Sequence, residues 1–352
     1  MINLETQTFL LSSNMLSPQT KRKITRIIPF GLIWLIFSIV YSLLDRGLLG
    51  NLTYYPSTGN PYNFSGTIFI TAIIAFISGL LVGTIEILYL NKLFVRKSFL
   101  KKIVFKTLIY CTIIIVFLLM TTLVYNSIEL KTGVFSKQVL NNVWLFFSDY
   151  AFWSVEVYII TIIGVSLFYT EVNENLGQGV LHNFFTGKYH RPVEEERIFM
   201  FLDMKSSTSI AENIGHVLYF EMLKEYFSDL SNSIITFSGE IYQYVGDEIV
   251  VSWTLKNGLQ NNNCIHCFFA MKTEIKNHTA KYNEKFGLLP EFKAGFHVGK
   301  VTTGEIGVIK KDIIFTGDVL NTTARIQGLC NEYEVDILVS SQLTKKLHST
   351  QG

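Results

Sequence analysis

Long uninterrupted apolar runs fill the first half of the chain, and short apolar runs alternating with amphipathic stretches fill the second. Four runs reach or approach the roughly 20 residues that cross a bilayer as a helix. Ile27–Leu44 and Thr107–Ile128 carry no charge, Gly66–Leu90 carries only Glu86, and Tyr150–Thr170 only Glu156. Runs of this length exceed ordinary buried helices, so four transmembrane helices are predicted. After Thr170 the period shortens. Arg197–Leu202 reads as a buried strand, and Ser209–Ile235 as a helix with Leu218, Met222, Tyr226 and Leu230 on one face. Glu240–Val245 and Ile249–Trp253 read as strands around Gly246-Asp247, and Cys264–Tyr282 as a helix. Glu291–Val298 and Val301–Ile306 suggest a hairpin, and a helix at Val319–Leu329 precedes a strand at Asp336–Ser340. The predicted class is therefore α+β: a four-helix membrane bundle followed by one mixed domain of roughly 155 residues.

Composition agrees. Of the 352 residues 49% are hydrophobic and only 16% charged, with a mean hydropathy of +0.32, which disfavours an ordinary soluble protein and excludes disorder. Net charge is +2, too little for a nucleic-acid binder, so no nucleic acid is expected as a partner. Residues 1–170 carry 13 Lys/Arg against 6 Asp/Glu, and residues 171–352 carry 17 against 22. The basic residues Lys21, Arg22, Lys23 and Arg26 precede the first span, and Lys92, Arg96, Lys97, Lys101, Lys102 and Lys106 separate the second from the third. The positive-inside rule then places the N-terminus, the middle loop and everything after Thr170 in the cytoplasm. The first 20 residues lack a signal-peptide core, so the first span is expected to remain. This gives a tail (1–23), a four-span domain (24–170), a connector (171–196) broken by Gly177, Gly179, Gly187 and Pro192, and a cytoplasmic domain (197–352). The outer loops, 45–65 and 129–149, are too short for a folded sensor.

Intramembrane carboxylates are functional candidates. Glu86 falls near the cytoplasmic end of its span and is expected at the interface; Glu156 falls near the outer end of its own and is expected inside the bundle. Cys264 and Cys267, in CIHC, lack the second pair that a zinc site needs and sit at helical spacing among apolar residues, so they read as core. His297 reads as a packed strand residue, and Gly299, Gly304 and Gly307 as hairpin glycines.

Two carboxylates stand where chemistry is usually done. Asp203 ends the first strand and opens FLDMKSST, a polar loop entering a helix, whose amides suit phosphate oxygens. Asp247 lies in the turn of YVGDEIV, and antiparallel strands meeting beside the first would bring it next to Asp203. Paired carboxylates beside a phosphate-binding loop suit two divalent metals and a nucleoside triphosphate, although each Asp singly also suits a cap or turn.

FLDMKSST, GEIYQYVGDEIV, AGFHVGKVTTGEIG and TGDVLNTTAR, in that order, resemble the signature of class III nucleotide cyclases, the adenylyl and guanylyl cyclase catalytic domain. The resemblance runs from Glu195 to about Leu347. It implies a ferredoxin-like domain, a head-to-tail homodimer with active sites at the interface, and two Mg²⁺ or Mn²⁺ ions. It maps Asp203 and Asp247 onto the metal-binding aspartates, the Met204 carbonyl onto a further metal ligand, and Ser206, Ser207 and Thr208 onto the triphosphate loop. Asn321 would orient the ribose and Arg325 stabilise the reacting phosphate, both from the opposite subunit; positions i and i+4 share a helix face. The purine-reading pair falls at Gln243 and Ile314, where the family's adenine-type lysine and its partner are absent, as are the guanylyl-type Glu and Cys. The chain ends at Gly352, short of the strands that carry a triphosphate-binding lysine in the family, so an incomplete C-terminus is expected. The implied function is an integral-membrane adenylate cyclase of the bacterial inner membrane, making 3′,5′-cyclic AMP and pyrophosphate from ATP. The alternatives are a guanylate or dual-specificity cyclase and a silent nucleotide-binding domain. VGDEI also resembles the diguanylate cyclase signature, but Val245 stands where that family needs a second glycine.

Overall fold

A computed structural model describes residues 16–56, 61–94, 97–177, 180–309 and 311–347. Arg96, Gly179, most of the N-terminal tail and the last five residues lie outside this set. The chain divides into two compact units, one of them Arg22–Gly177 and the other carrying Gln178–Gly352.

The first unit is helical. Helices α1 (Pro18–Leu49), α2 (Phe64–Ile85), α3 (Phe99–Leu130) and α5 (Tyr150–Leu176) are joined by loops and by α4 (Lys137–Ser148), which occupies much of the segment between α3 and α5. With the turns that extend α2 to Leu93, the four long helices run 27 to 32 residues and are long and apolar enough to cross a membrane. Two glycines let α1 and α2 touch. A Cβ on Gly79 would lie 2.7 Å from the Phe30 carbonyl oxygen, and one on Gly83 would lie 2.9 Å from the Phe30 ring. Small residues four apart allow such close backbone approach in membrane helices.

The candidate carboxylates of this unit, Glu86 and Glu156, are buried. Glu86 is fully buried among the helices and opens a π-helical turn, Glu86–Leu90. Its Oε1 accepts from the Lys106 ammonium at 2.5 Å and its Oε2 from the Tyr110 hydroxyl at 3.2 Å. Lys106, expected in a loop, lies on α3 and is also fully buried; it donates further to Glu171 of α5 at 3.1 Å and to Asn91 at 3.3 Å. Lys102 closes on the other Glu171 oxygen at 3.0 Å. A buried ammonium persists only with such partners, so a basic residue that sequence assigns to water is drawn into the bundle. Glu156 is buried, as expected, and its Oε1 has no hydrogen-bond partner.

In the second unit, after a short helix α6 (Val180–Thr186), the order is β1 (Val193–Met204), α7 (Ser207–Ile214), α8 (His216–Thr236), β2 (Glu240–Val245), β3 (Glu248–Thr254), α9 (Leu255–Leu259), α10 (Asn263–Asn277), α11 (Thr279–Phe286), β4 (Phe292–Ile306), β5 (Asp312–Thr316), α12 (Asp318–Glu332), β6 (Ile337–Val339) and α13 (Ser341–Thr344). The sheet runs β2-β3-β1-β4-β5, antiparallel throughout, with β6 added parallel to β4. Its β-α-β-β-α-β core, with β1 between β3 and β4, is ferredoxin-like.

Strand β1 is buried on both faces, which is why it reads as an unbroken apolar run. Ile198, Met200, Leu202 and Met204 face α8, α10 and α11 in the main core; Phe199 and Phe201 face Val250, Val301 and Val319. Cys264 and Cys267 are fully buried in that core, and burial pushes the Cys264 thiol up to about 12, so both are packing residues. The predicted helices at 209–235 and 264–282 each divide in two, at Gly215 and at His278.

The predicted hairpin at 291–306 is instead the single strand β4, paired with β1 from Val193↔Thr303 to Met204↔Phe292. Neither Gly299 nor Gly304 turns the chain. Gly299 makes room for α12: a Cβ there would lie 3.0 Å from Val319. At Gly295 the approach is closer, since a Cβ would stand 2.3 Å from the Gln327 backbone nitrogen. Gly295→Ala is therefore expected to lift α12 from the sheet and cost about 2–3 kcal/mol, read as a lowered unfolding midpoint of the purified protein.

Candidate active site

Pairing of β1 with β3 and β4 builds the site at one end of the sheet. Asp203 lies directly across from Lys293 of β4, and the β2–β3 turn, reversed by Gly246 at φ +62°, carries Asp247 to the same end. The two carboxyls are close enough for the Asp247 charge to act on Asp203. Burial and the Asp247 charge together raise the Asp203 carboxyl above its ordinary range, against the opposing pull of Lys293. Glu248, on the same end of β3, is pushed up to about 7 by burial and by Asp203 and Asp247. The hydroxyls of Tyr219 and Tyr226 are raised too, chiefly by burial and in part by these carboxylates. Anionic charge is thus concentrated at a half-buried end of the sheet.

One atom makes the need for a cation concrete. Asp247 Oδ2 is buried and has no hydrogen-bond partner. A buried carboxylate oxygen beside a second carboxylate is costly unless protonated or bound to a cation. Divalent Mg²⁺ or Mn²⁺ is held by such oxygens, and the donor set offers two aspartates and the Met204 carbonyl at the end of β1. Among the described residues no three His, Cys, Asp or Glu side chains form a metal-binding group.

Beyond β1 the chain turns through Ser206, in the left-handed region at φ +55°, into α7. Ser207 and Thr208 occupy the first turn of α7, whose amides carry the positive end of the helix dipole. Asn321 and Arg325 share the exposed face of α12, while Val319, Thr323, Gln327 and Cys330 form its buried face. One chain therefore does not gather all the expected site residues: Asp203 and Asp247 meet, whereas Asn321 and Arg325 point away from them. Gln243 is exposed on β2, and Ile314 half-buried on β5. Their chain neighbours touch: the Tyr242 and Phe315 rings lie 4.7 Å apart, and the Phe315 amide donates to the Tyr242 hydroxyl at 3.2 Å.

Three residues of this site escape a reading of the sequence. Glu248 is visible within YVGDEIV, but nothing local marks it as facing Asp203. Lys293 and Gln327 both reach Asp203 Oδ2, at 3.5 and 3.2 Å, and only strand register and helix packing bring them there. His297 donates to or accepts from Ser340 Oγ at 2.8 Å and is structural, as expected.

Comparison with known proteins agrees with this geometry. Residues 191–351 match the adenylate and guanylate cyclase catalytic domain. Adenylate cyclase 2 of Rhizobium meliloti (strain 1021) is 35% identical over 194 residues, covering 55% of this chain and 53% of that protein. An adenylate cyclase of Anabaena cylindrica is 27% identical over 154 residues, 42% of this chain and 30% of its own. The chain thus spans about half or less of the curated relatives it matches. The fold resembles that of a bacterial light-regulated adenylyl cyclase, with a TM-score of 0.50 at 20% identity, covering 58% of this chain and 60% of that one. The ferredoxin-like sheet and the paired aspartates at its end lie within residues 191–351, the segment that matches the adenylate and guanylate cyclase catalytic domain.

Proposed function

We propose that this chain is a membrane-anchored adenylate cyclase that converts ATP to 3′,5′-cyclic AMP and pyrophosphate at sites shared between two copies. The observation that carries this is the Asp203–Asp247 pair with its unpartnered buried oxygen. In this reading four helices cross a bacterial inner membrane, with both termini in the cytoplasm.

Asp203, Asp247 and the Met204 carbonyl would hold two divalent ions. Those ions, when bound, supply acidification of the ribose 3′-hydroxyl and charge compensation on the α-phosphate. The chain's own residues do the rest. Asp203 and Asp247 fix where the α-phosphate sits, while Ser206–Thr208 and the first-turn amides of α7 hold the outer phosphates. Asn321 from the second copy orients the ribose for in-line attack, and Arg325 donates to the phosphate oxygens as charge accumulates there. The exposure of Asn321 and Arg325 on the far face of α12 supports a shared site, because a second copy is then needed to deliver them.

Gln243 supports a second reading, a guanylate or dual-specificity cyclase, since its amide both donates and accepts and can meet either purine edge. Turnover of the detergent-solubilised chain with ATP and GTP in parallel, each with Mn²⁺ and Mg²⁺, separates the two. Excess cyclic AMP is expected; excess cyclic GMP would move the assignment to guanylate cyclase, and no cyclic product would favour a silent nucleotide-binding domain.

A further inference from the structure

We infer that Lys293 and Gln327 are positioning residues for Asp203, holding one of its oxygens so that the other is presented to a divalent cation. This rests on the metal-dependent reading above and deepens it. Both donors converge on the same atom: the Lys293 ammonium lies 3.5 Å, and the Gln327 amide nitrogen 3.2 Å, from Asp203 Oδ2. Neither engages Oδ1. Both donors are themselves fixed. Lys293 is buried and donates to Asn331 Oδ1 at 2.8 Å, so its ammonium is shared between a strand neighbour and α12. Gln327 is buried on the same helix, and its backbone is seated against Gly295, two residues beyond Lys293 on β4.

The arrangement has the logic of an outer coordination shell. A carboxylate with two free oxygens swings between them, and donors that occupy one oxygen select the ligating rotamer. Lys293 lies directly opposite Asp203 in the strand register. Gln327 and Asn331 also belong to the helix whose outer face presents Asn321 and Arg325. The element that orients the metal carboxylate of one site thus carries residues destined for the other.

The test is Mn²⁺ binding to the full detergent-solubilised chain with unreactive α,β-methylene-ATP, followed by loss of the free-ion resonance signal. Lys293→Met and Gln327→Leu are each expected to weaken Mn²⁺ about tenfold or more, the usual effect of losing an outer-shell partner. Turnover should fall while KM for ATP changes little, and Lys293→Arg should retain most of the affinity. If one variant fails to fold, the other decides. Unchanged Mn²⁺ affinity in the folded variants overturns the inference. Asp203→Asn is the separate control: if it too leaves Mn²⁺ affinity unchanged, the metal reading of the site falls with it. If only Asp203→Asn weakens binding, that reading stands and the positioning role alone is lost.

Discussion

Asp203→Ala is expected to lower cyclic nucleotide formation by about a thousandfold or more, and Arg325→Ala by about a hundredfold to a thousandfold, and the two inactive chains expressed together are expected to recover activity. The first magnitude follows from removing a ligand of the ions that carry the phosphate charge, the second from removing one preorganised donor to that charge. Recovery follows from geometry. Asp203 and Asp247 meet in one chain, while Asn321 and Arg325 look outward from the other face of α12. A heterodimer of the two variants retains one site with both an intact Asp203 and an intact Arg325. Random pairing makes half of the dimers mixed, so about a quarter of the wild-type sites are restored. Co-expression followed by turnover assay measures this. Activity no higher than that of either variant alone would rule out a site divided between copies.

Lys106→Met is expected to destabilise the helical unit by about 3–5 kcal/mol, the usual result of stripping one partner from a buried ion pair. The ammonium serves Glu86, Glu171 and Asn91 at once, from a position with no solvent exposure. Its loss leaves Glu86 with only the Tyr110 hydroxyl, whereas Glu171 still keeps Lys102. Pairing the change with Glu86→Gln should recover part of the loss, because the orphaned charge is then removed as well. The transition of the purified chain with increasing denaturing detergent reads both variants. Equal stability of Lys106→Met and wild type would mean that the cluster is hydrated and carries no such cost.

What the sequence discloses is what is local. The four spans follow from uninterrupted apolar runs, and Asp203 and Asp247 from a strand end and a two-residue turn, each readable within a few positions. What depends on packing was hidden. Lys293 meets Asp203 only because β1 and β4 pair in one register, and Gln327 only because Gly295 lets α12 rest on the sheet. Gly299, which suggests a hairpin turn within 291–306, makes room for α12 instead. Lys106 was assigned to water because basic residues at the end of a span usually lie there; three acceptors on neighbouring turns reverse that preference. The Gly79 and Gly83 spacing was in plain view, but which helix it admits is a matter of tertiary structure.

Strand β1 has one further consequence, in time and not in space. It is the centre of the sheet, and its partners in β4 lie 88 to 110 positions later in the chain. At ordinary translation speeds, β4 leaves the ribosome roughly five to twenty seconds after β1. Until then one edge of β1, including the position opposite Asp203, has nothing to pair with. Non-local strand pairing of this kind is slow to form even once the whole segment is present. The helices of the first unit all precede β1 in the chain and are synthesised before it. Synthesis therefore runs helical unit first and sheet last, with an unpaired apolar strand exposed in the interval.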